Sequence, residues 1–591
     1  MWSFFKIFFA SLLAIFISGI IMLVFVFVII ASLQTKDTGT VAENSVLKLT
    51  FDKPILEREY DNPLADLNLP ISTPSHIGLI DTKEAIKTAK SDEKIKGIYL
   101  NVSSLQAGIA TIEEIRKALA DFKTSGKFIY AYSEFYSEGG YYLSSVADSV
   151  FINPSGLMEF NGLQSEHMFF KGTLEKLDLK PEIFKVGDYK SAVEPLMFDK
   201  MSPASREQTF SFLQSIQNTL YKNIAESRKV PFAKLNLISD SMLIRKPTDA
   251  VRFGLADKVL YYDQVEDCIR KKLKIENKIE IKFISYRKYS SSLANVETEE
   301  SEEHKSSANK IAVIIAQGEI QSGRGDEETI GSDRISEELR SARRDEEVKA
   351  IVLRINSPGG SSMASDVMWR EVELAAKEKP VIASMGDVAA SGGYYIAMAA
   401  DTIVAQPNTI TGSIGVFGVL LDAQGFFKNK LGITFDGVKT GKFSDIGTIS
   451  RPLNDYEKKV IQKEVEDIYT EFVQKAADGR NMSYDDLAKV ASGRVWTGEQ
   501  AKERGLVDVL GNFDKAVELA ANAAHLGENY EIVYLPKEKD FLDRLMHDIE
   551  TSVSAVFSQS SATFALEKTY QEVVKRYNGI QARLPFDVTI R

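Results

Sequence analysis

Residues 98–105 read IYLNVSSL and residues 126–154 read GKFIYAYSEFYSEGGYYLSSVADSVFINP; residues 351–360 read IVLRINSPGG and residues 379–407 read KPVIASMGDVAASGGYYIAMAADTIVAQP. The two sets align without a gap at an offset of 253, pairing Gly139-Gly140-Tyr141-Tyr142 with Gly392-Gly393-Tyr394-Tyr395, Ala147-Asp148 with Ala400-Asp401, and Pro154 with Pro407. Further on, KVGDYKSAVEP (185–195) matches KTGKFSDIGTI (439–449) at an offset of 254, and an amphipathic helical pattern follows each, at 202–227 and 454–478. Order and spacing held over so long a stretch mean that one unit is written twice, and a repeat found first fixes how the rest is read.

Within each copy, short β-rich apolar runs alternate with helical ones. In the second they fall at 312–315, 350–355, a helix near 365–377, 381–384, a helix from about Ser391, and 402–405. Apolar runs of four to six residues between helices predict stacked βαβ units around a parallel sheet, hence an α/β fold. The copies are expected at 45–294 and 310–539. Between them NVETEESEEHKSSAN (295–309) is acidic, serine-rich and nearly free of apolar residues, so a solvated linker is expected there. Residues 540–591 have helix-like spacing and are expected as a helical tail.

Residues 1–36 are different in kind. IFFASLLAIFISGIIMLVFVFVIIASL (7–33) carries no charge and exceeds the roughly 20 apolar residues a spanning helix needs. Its apolar core is too long for a cleaved signal peptide, usually about 7–15 residues. A retained anchor in a lipid bilayer is expected. Lys6 precedes it, while Lys36 and Asp37 cancel after it, which places the body on the side away from the cytoplasm. At 591 residues the remainder has room for several domains, and 44% hydrophobic composition gives it cores to bury. Acidic residues outnumber basic ones, 83 to 72, the wrong balance for a phosphate-backbone binder, so no nucleic-acid partner is expected. One cysteine, Cys268, and five scattered histidines point to no disulfide, no metal and no metal-dependent chemistry.

The differences between the copies carry the chemistry. Ser391 follows a strand and begins a helix, where free N–H groups favour developing negative charge. Upstream, Asn356-Ser357-Pro358-Gly359-Gly360 turns from a strand into a helix, and its glycine N–H groups could aim at the same point. A nucleophile beside a pair of backbone donors is what acyl transfer requires. In the first copy Glu138 stands at the Ser391 position and Leu105-Gln106-Ala107 replace Pro358-Gly359-Gly360. That copy instead carries Lys190, where the second has Ser444. One half holds a serine without the lysine, the other the lysine without the serine.

A serine hydroxyl needs a base, and no histidine lies between His304 and His525. A lysine kept neutral by a dry pocket can serve, and Ser413 in Thr411-Gly412-Ser413-Ile414-Gly415 could orient it. Ile414, Val416 and Phe417 could line a side-chain pocket or simply pack in the core. Taken singly, Ser-Gly-Gly is an ordinary helix cap and a lone lysine an ordinary surface charge; the reciprocal losses turn them into a candidate Ser–Lys dyad. Two rivals follow from the same residues. A non-catalytic scaffold would hold Ser391 and Lys190 apart, and crotonase-type acyl-CoA chemistry would not require a lysine from the opposite repeat.

RINSPGGSSMASD, GDVAASGGYYIAMAAD, TGSIGVFG and VGDYKSAVEP, with the duplication and the N-terminal span, resemble signal peptide peptidase A, the protease IV family, in its two-repeat form. SPGG and Ser-Gly-Gly are shared with the wider Clp and crotonase superfamily. The resemblance covers about residues 45–540 and implies two tandem Clp/crotonase-like ββα-spiral domains behind a transmembrane helix. It implies Ser391 as nucleophile, Lys190 as general base, Gly359 and Gly392 as oxyanion donors with Gly360 competing, and Ser413 bonded to the lysine. It further implies a serine endopeptidase without cofactor, seated as a homotetramer on the bacterial inner membrane with its catalytic body outside the cytoplasm. Its substrates would be signal-peptide remnants and other unfolded hydrophobic peptides.

Overall fold

The computed structural model describes residues 2–34, 41–59, 76–102, 105–276, 278–292, 309–326, 328–537 and 580–584. The expected linker, apart from Asn309, and most of the expected tail lie outside these. Helix α1 (Trp2–Gln34) opens the chain over 33 residues. Its side chains are described no further than Ile21, and among the described residues no helix is long and apolar enough to cross a membrane.

The first unit contains β1 (Ser45–Thr50), β2 (Ile95–Asn101), β3 (Phe128–Tyr136), β4 (Ser149–Met158), β5 (Lys180–Lys185), β6 (Lys258–Val259) and β7 (Phe283–Ser285). The second contains β8 (Lys310–Gln317), β9 (Glu319–Gln321), β10 (Thr329–Gly331), β11 (Val348–Ser357), β12 (Gly359–Ser361), β13 (Val381–Ala390), β14 (Thr402–Ala405), β15 (Ile410–Gly412), β16 (Phe417–Asp422), β17 (Val495–Thr497), β18 (Val509–Leu510) and β19 (Glu531–Leu535). Near the C-terminus lies β20 (Ile580–Arg583).

Each unit has its own largely parallel sheet, ordered β6-β4-β3-β2-β1-β7 in the first and β17-β15-β13-β11-β8-β19 in the second, where β14 also pairs with β13 and β18. The strands are apolar nearly throughout because such sheets are covered on both faces; Ile351, Val352, Leu353 and Ile355 of β11 are all fully buried. The gapless alignment holds element by element. Helix α2 (Ile109–Lys123), moved by 253, falls on α5 (Ser362–Ala376), and α3 (Glu138–Ser144) falls beside α6 (Gly392–Ala397). The repeated tyrosines perform the same task in both copies: Tyr141 Oη donates to Leu255 O at 2.9 Å and Tyr394 Oη to Leu506 O at 3.0 Å. Ser202 and Asn454 are the N-caps of the long helices α4 (Pro203–Arg228) and α7 (Asp455–Arg480), which sets where both begin.

The units interlock rather than merely touch. A third sheet, ordered β10-β9-β12-β20-β16-β5, takes its outermost strand from the first unit, with β5 antiparallel to β16 through six residue pairs. Moving β5 by 254 lands on 434–439, where the second copy has no strand and lies exposed. At the interface a buried cluster adds polar specificity: Arg354 Nε meets Glu57 at 2.8 Å and Arg354 Nη2 meets Glu114 at 3.1 Å. Within the expected tail, the described residues 580–583 form a strand instead of a helix. The backbone edges of β12 and β16 both need partners, and a short extended segment supplies them.

Candidate active site

The serine is placed by backbone strain. Ser391 sits between β13 and α6 at φ 56° and ψ −112°, a conformation costly for a residue with a side chain. It is pinned there by its N–H, which donates to Gly412 O at 2.8 Å, and by its carbonyl, which accepts from Tyr395 N–H at 2.8 Å.

The lysine arrives from the other unit. Beyond β5 the chain turns at Gly187, φ 98°, where a Cβ would lie 2.3 Å from Ser492 O. Tyr189 N–H donates to Ser492 O at 3.1 Å, fastening the turn to the second unit. Gln208 of α4 reaches across, donating to Tyr189 O and Ser191 Oγ at 2.9 Å and accepting from Val495 N–H at 3.1 Å. The Lys190 side chain then runs between Gly415 and Gly493. A Cβ on the first would lie 3.3 Å from Lys190 Cδ, and on the second 2.6 Å from Lys190 Cβ.

Lys190 Nζ ends 2.8 Å from Ser391 Oγ, and 3.2 Å from both Ser413 O and Ser413 Oγ. Ser391, Lys190 and Ser413 are all fully buried. Burial pushes the Lys190 ammonium well below the ordinary lysine range, with no carboxylate among the described residues offsetting it. At this separation the proton can pass between the two side chains.

The two N–H groups of the glycine turn point in different directions. Gly359 N–H donates to Ser357 Oγ at 3.1 Å, and that hydroxyl donates to Gly318 O at 2.6 Å, so the Gly359 N–H is directed into the second unit, although a Cβ on Gly359 would lie 2.1 Å from Ala582 O. On the other side, Leu584 N–H donates to Pro358 O at 2.7 Å. Hydrogen-bonded pairs recur every second residue in an antiparallel ladder, so the next is Gly360 with Ala582, in register across β12 and β20. Gly360 N–H therefore points at the Ala582 carbonyl. Gly392 is also close to that oxygen, which would lie 3.0 Å from a Cβ built on Gly392.

Of the apolar residues singled out downstream, Ile414 and Val416 are buried in the second unit's core, and Phe417 packs on Val193 and Val419. They serve as packing residues here. Ser444 is exposed on a surface turn, far in role from its counterpart Lys190. Glu138 occupies the serine's place in the first unit as a buried plug: it accepts from Tyr221 Oη at 2.8 Å and from the N–H groups of Gly162 and Asn161. Burial raises its carboxyl above the usual range.

The model for peptidase family S49 matches residues 121–276 and again 373–527, one segment in each unit. The chain belongs to peptidase family S49. The S49 peptidase is 36% identical to Protease 4 of Salmonella typhi over 495 residues, covering 82% of this chain and 78% of that one. It is 34% identical to the chloroplastic serine protease SPPA of Arabidopsis thaliana, covering 82% and 71%. The Clp protease model matches residues 301–411, in keeping with Clp-like α/β domains. A solved mutant form of ClpP1 from Listeria monocytogenes aligns with 35% of the peptidase and 94% of that chain, at 16% identity and a TM-score of 0.24. This chain is thus a serine peptidase.

Sequence reasoning did not single out Gly187, Gln208, Gly415 or Gly493. For Gly493 a signal existed. GLADKV (254–259) and GLVDVL (505–510) align at an offset of 251, which places Gly493 on Met242. Both have left-handed backbones, φ 76° and 48°; only the position that must admit a lysine has shed its side chain.

Proposed function

We propose that the peptidase is a membrane-anchored endopeptidase whose Ser–Lys dyad is divided between its repeats. The 2.8 Å approach of Lys190 Nζ to Ser391 Oγ in a fully buried setting is the observation that carries this reading. Neutral Lys190 accepts the Ser391 proton as Oγ attacks the substrate carbonyl. Gly360 and Gly392 N–H groups receive the oxyanion, and Ser413 fixes the ammonium as it forms. Lys190 then protonates the leaving amine, and water releases the acyl group through the same steps reversed.

In this reading residues 7–33 cross the bilayer, the body works outside the cytoplasm as a homotetramer, and the substrates are signal-peptide remnants and other extended hydrophobic peptides. An extended substrate suits a groove bounded by strand edges, because backbone pairing gives affinity for any sequence. A cavity of ≈ 1310 Å³ beside that groove, with Phe184, Ile320, Tyr395, Val419, Ile461 and Ile468 in its walls, offers apolar side chains a place. The test is a fluorophosphonate label together with peptide hydrolysis: wild type takes the label, and folded Ser391→Ala and Lys190→Ala both lose cleavage. Unchanged cleavage in either folded variant removes the dyad.

A further inference from the structure

Lys190 is carried by a loop of one unit to a serine of the other, so the loop itself has to be held accurately for a proton to pass. Its neighbour Tyr189 is where it is held. Lys190 is fully buried, whereas Tyr189 is half-buried and lays its ring against Arg494 of the second unit, 4.5 Å from guanidinium carbon to ring centroid. Arg494 donates from Nη1 to Tyr189 Oη at 3.0 Å and from Nη2 to Glu207 Oε1 at 2.8 Å, and Tyr189 Oη donates to Glu207 Oε2 at 2.9 Å. The three side chains close a ring of hydrogen bonds across the two units. The same guanidinium lies 4.4 Å from the Trp496 ring centroid.

The main chain of Arg494 serves the same lysine by another route. Arg494 O accepts from Ser413 N–H at 2.7 Å, and Ser413, at φ 50°, is the residue whose carbonyl and hydroxyl both accept from Lys190 Nζ. One residue therefore grips the lysine's loop with its side chain and the lysine's acceptor with its backbone. The other half of the duplication has none of this. The offset of 254 puts Tyr189 on Phe443, the two N-capped helices 252 apart put Glu207 on Lys459, and the offset of 251 puts Arg494 on Leu243. Hydroxyl, carboxylate and guanidinium are all replaced where Lys190 is replaced by Ser444.

We infer that Arg494, with Tyr189 and Glu207, is a clasp between the units that positions Lys190 for proton transfer. This inference rests on the dyad assigned above and adds the residues that set its geometry. All three are positioning residues, since none touches a reacting atom. Glu207 is 54% exposed and Arg494 20%, so their ion pair adds little to stability. Its worth lies in aim: four methylenes separate Lys190 Cα from Nζ, and a fixed backbone is what makes their reach reproducible. The side chains bonded to Nζ, Ser391 and Ser413, are uncharged, and burial sets its proton affinity, so the clasp acts through position and dryness rather than through charge.

Steady-state hydrolysis of a fluorogenic apolar peptide by the full-length protein, followed across neutral and alkaline pH, tests this. Tyr189→Phe removes one oxygen, and Arg494→Met keeps the stem without the fork. Each should lower kcat by about 10- to 100-fold with KM changed less than about twofold, and with little change in Tm. Both should move the rising limb of kcat/KM to higher pH by about half a unit or more, because a loosened loop admits water to Nζ and favours its charged form. The double variant should be no slower than the slower single one, since the partners act as one unit. Arg504→Met is the control: Arg504 lies 3.9 Å from the same Trp496 ring, but its side chain bonds Gln500 O and Glu503, so kcat and the limb should stay at wild type. Folded Tyr189→Phe and Arg494→Met with wild-type kcat and limb, beside an inactive Lys190→Ala, overturn the clasp and leave the dyad standing. A fall in kcat matched by Arg504→Met, with the limb unmoved, overturns it as well, because packing around Trp496 would account for the loss. If Arg494→Met does not fold, Tyr189→Phe decides by the same criteria. Wild-type cleavage by folded Lys190→Ala overturns the dyad, and the clasp with it.

Discussion

Replacing Gly493 by alanine should disable the peptidase without touching either dyad residue. The added Cβ would lie 2.6 Å from Lys190 Cβ, 2.7 Å from Lys190 N and 2.8 Å from Lys190 Cα. Real contacts of that kind need about 3.4 Å, so the two backbones must part by roughly 0.8 Å. Neither can yield by swinging a flexible tip, because the obstruction is the lysine's own main chain. Carried to Nζ, the shift opens the 2.8 Å contact with Ser391 Oγ beyond hydrogen-bond reach. A misplacement of about 1 Å costs on the order of 100-fold in rate, equivalent to about 2.7 kcal/mol of transition-state stabilisation. Alanine at φ 76° also strains the backbone by about 1–2 kcal/mol. Gly505 separates the two effects. Its φ is 75°, but the atom nearest a new Cβ there is Met482 Sδ at 3.5 Å, an ordinary contact. Both alanine variants should lower Tm, while only Gly493→Ala should lower kcat/KM for an added peptide. Equal activities in the two folded variants would refute the claim that Gly493 exists to seat the lysine.

Lys190→Met should abolish hydrolysis, by roughly 10⁴-fold or more, yet leave Tm near neutral pH no lower than wild type. The sign follows from linkage: the folded lysine's pKa is depressed by burial, so the unfolded chain binds the extra proton and stability falls as pH drops below the ordinary lysine value towards the folded one. The same depression predicts that kcat/KM rises with pH through an apparent pKa well below that of a free lysine, a limb that a pH–rate profile would show and that a carboxylate base would place in the acid range. Ser391→Gly and Ser391→Ala should be equally inactive but not equally stable, since only glycine relieves the φ 56° strain; denaturant unfolding should rank glycine above alanine by about 1 kcal/mol or more. Arg354→Met, which leaves Glu57 and Glu114 buried without their shared cation, should cost about 3–5 kcal/mol in chemical denaturation.

The duplicated frame was legible because it is written in local patterns. Apolar runs, caps such as Ser202 and Asn454, and the paired tyrosines recur at fixed spacing, and the structure returns them as equivalent elements. The reciprocal exchange of Glu138 for Ser391 and Ser444 for Lys190 could be read the same way, as a difference between copies that random drift does not explain. What could not be read was anything that depends on which edges remain free after folding. Residues 580–583 are Ile-Gln-Ala-Arg, a stretch with no strand signature of its own, and they are extended because β12 and β16 present unpaired edges on both sides. Likewise Gly359 and Gly360 are indistinguishable in a sequence; only the ladder's alternation, fixed by the single bond from Leu584 to Pro358, decides which N–H faces the groove.

That alternation makes the choice between the two glycines testable, because it fixes the direction of a group rather than its presence. Gly360 has its N–H toward the groove, while a Cβ at that position would lie 2.1 Å from Ile320 O on the far side. Gly360→Ala should therefore push β12 off β9 and carry the oxyanion donor with it, lowering kcat by roughly 100-fold or more with KM changed far less, since the donor acts chiefly on the transition state. Ser357→Ala removes the acceptor of Gly359 N–H, at 3.1 Å, without moving the Gly360 donor. If Gly359 served the oxyanion, freeing its N–H would alter kcat as much as disturbing Gly360 does. Because the ladder turns it away from the groove, Ser357→Ala should cost stability of about 1 kcal/mol and leave kcat within a few-fold of wild type.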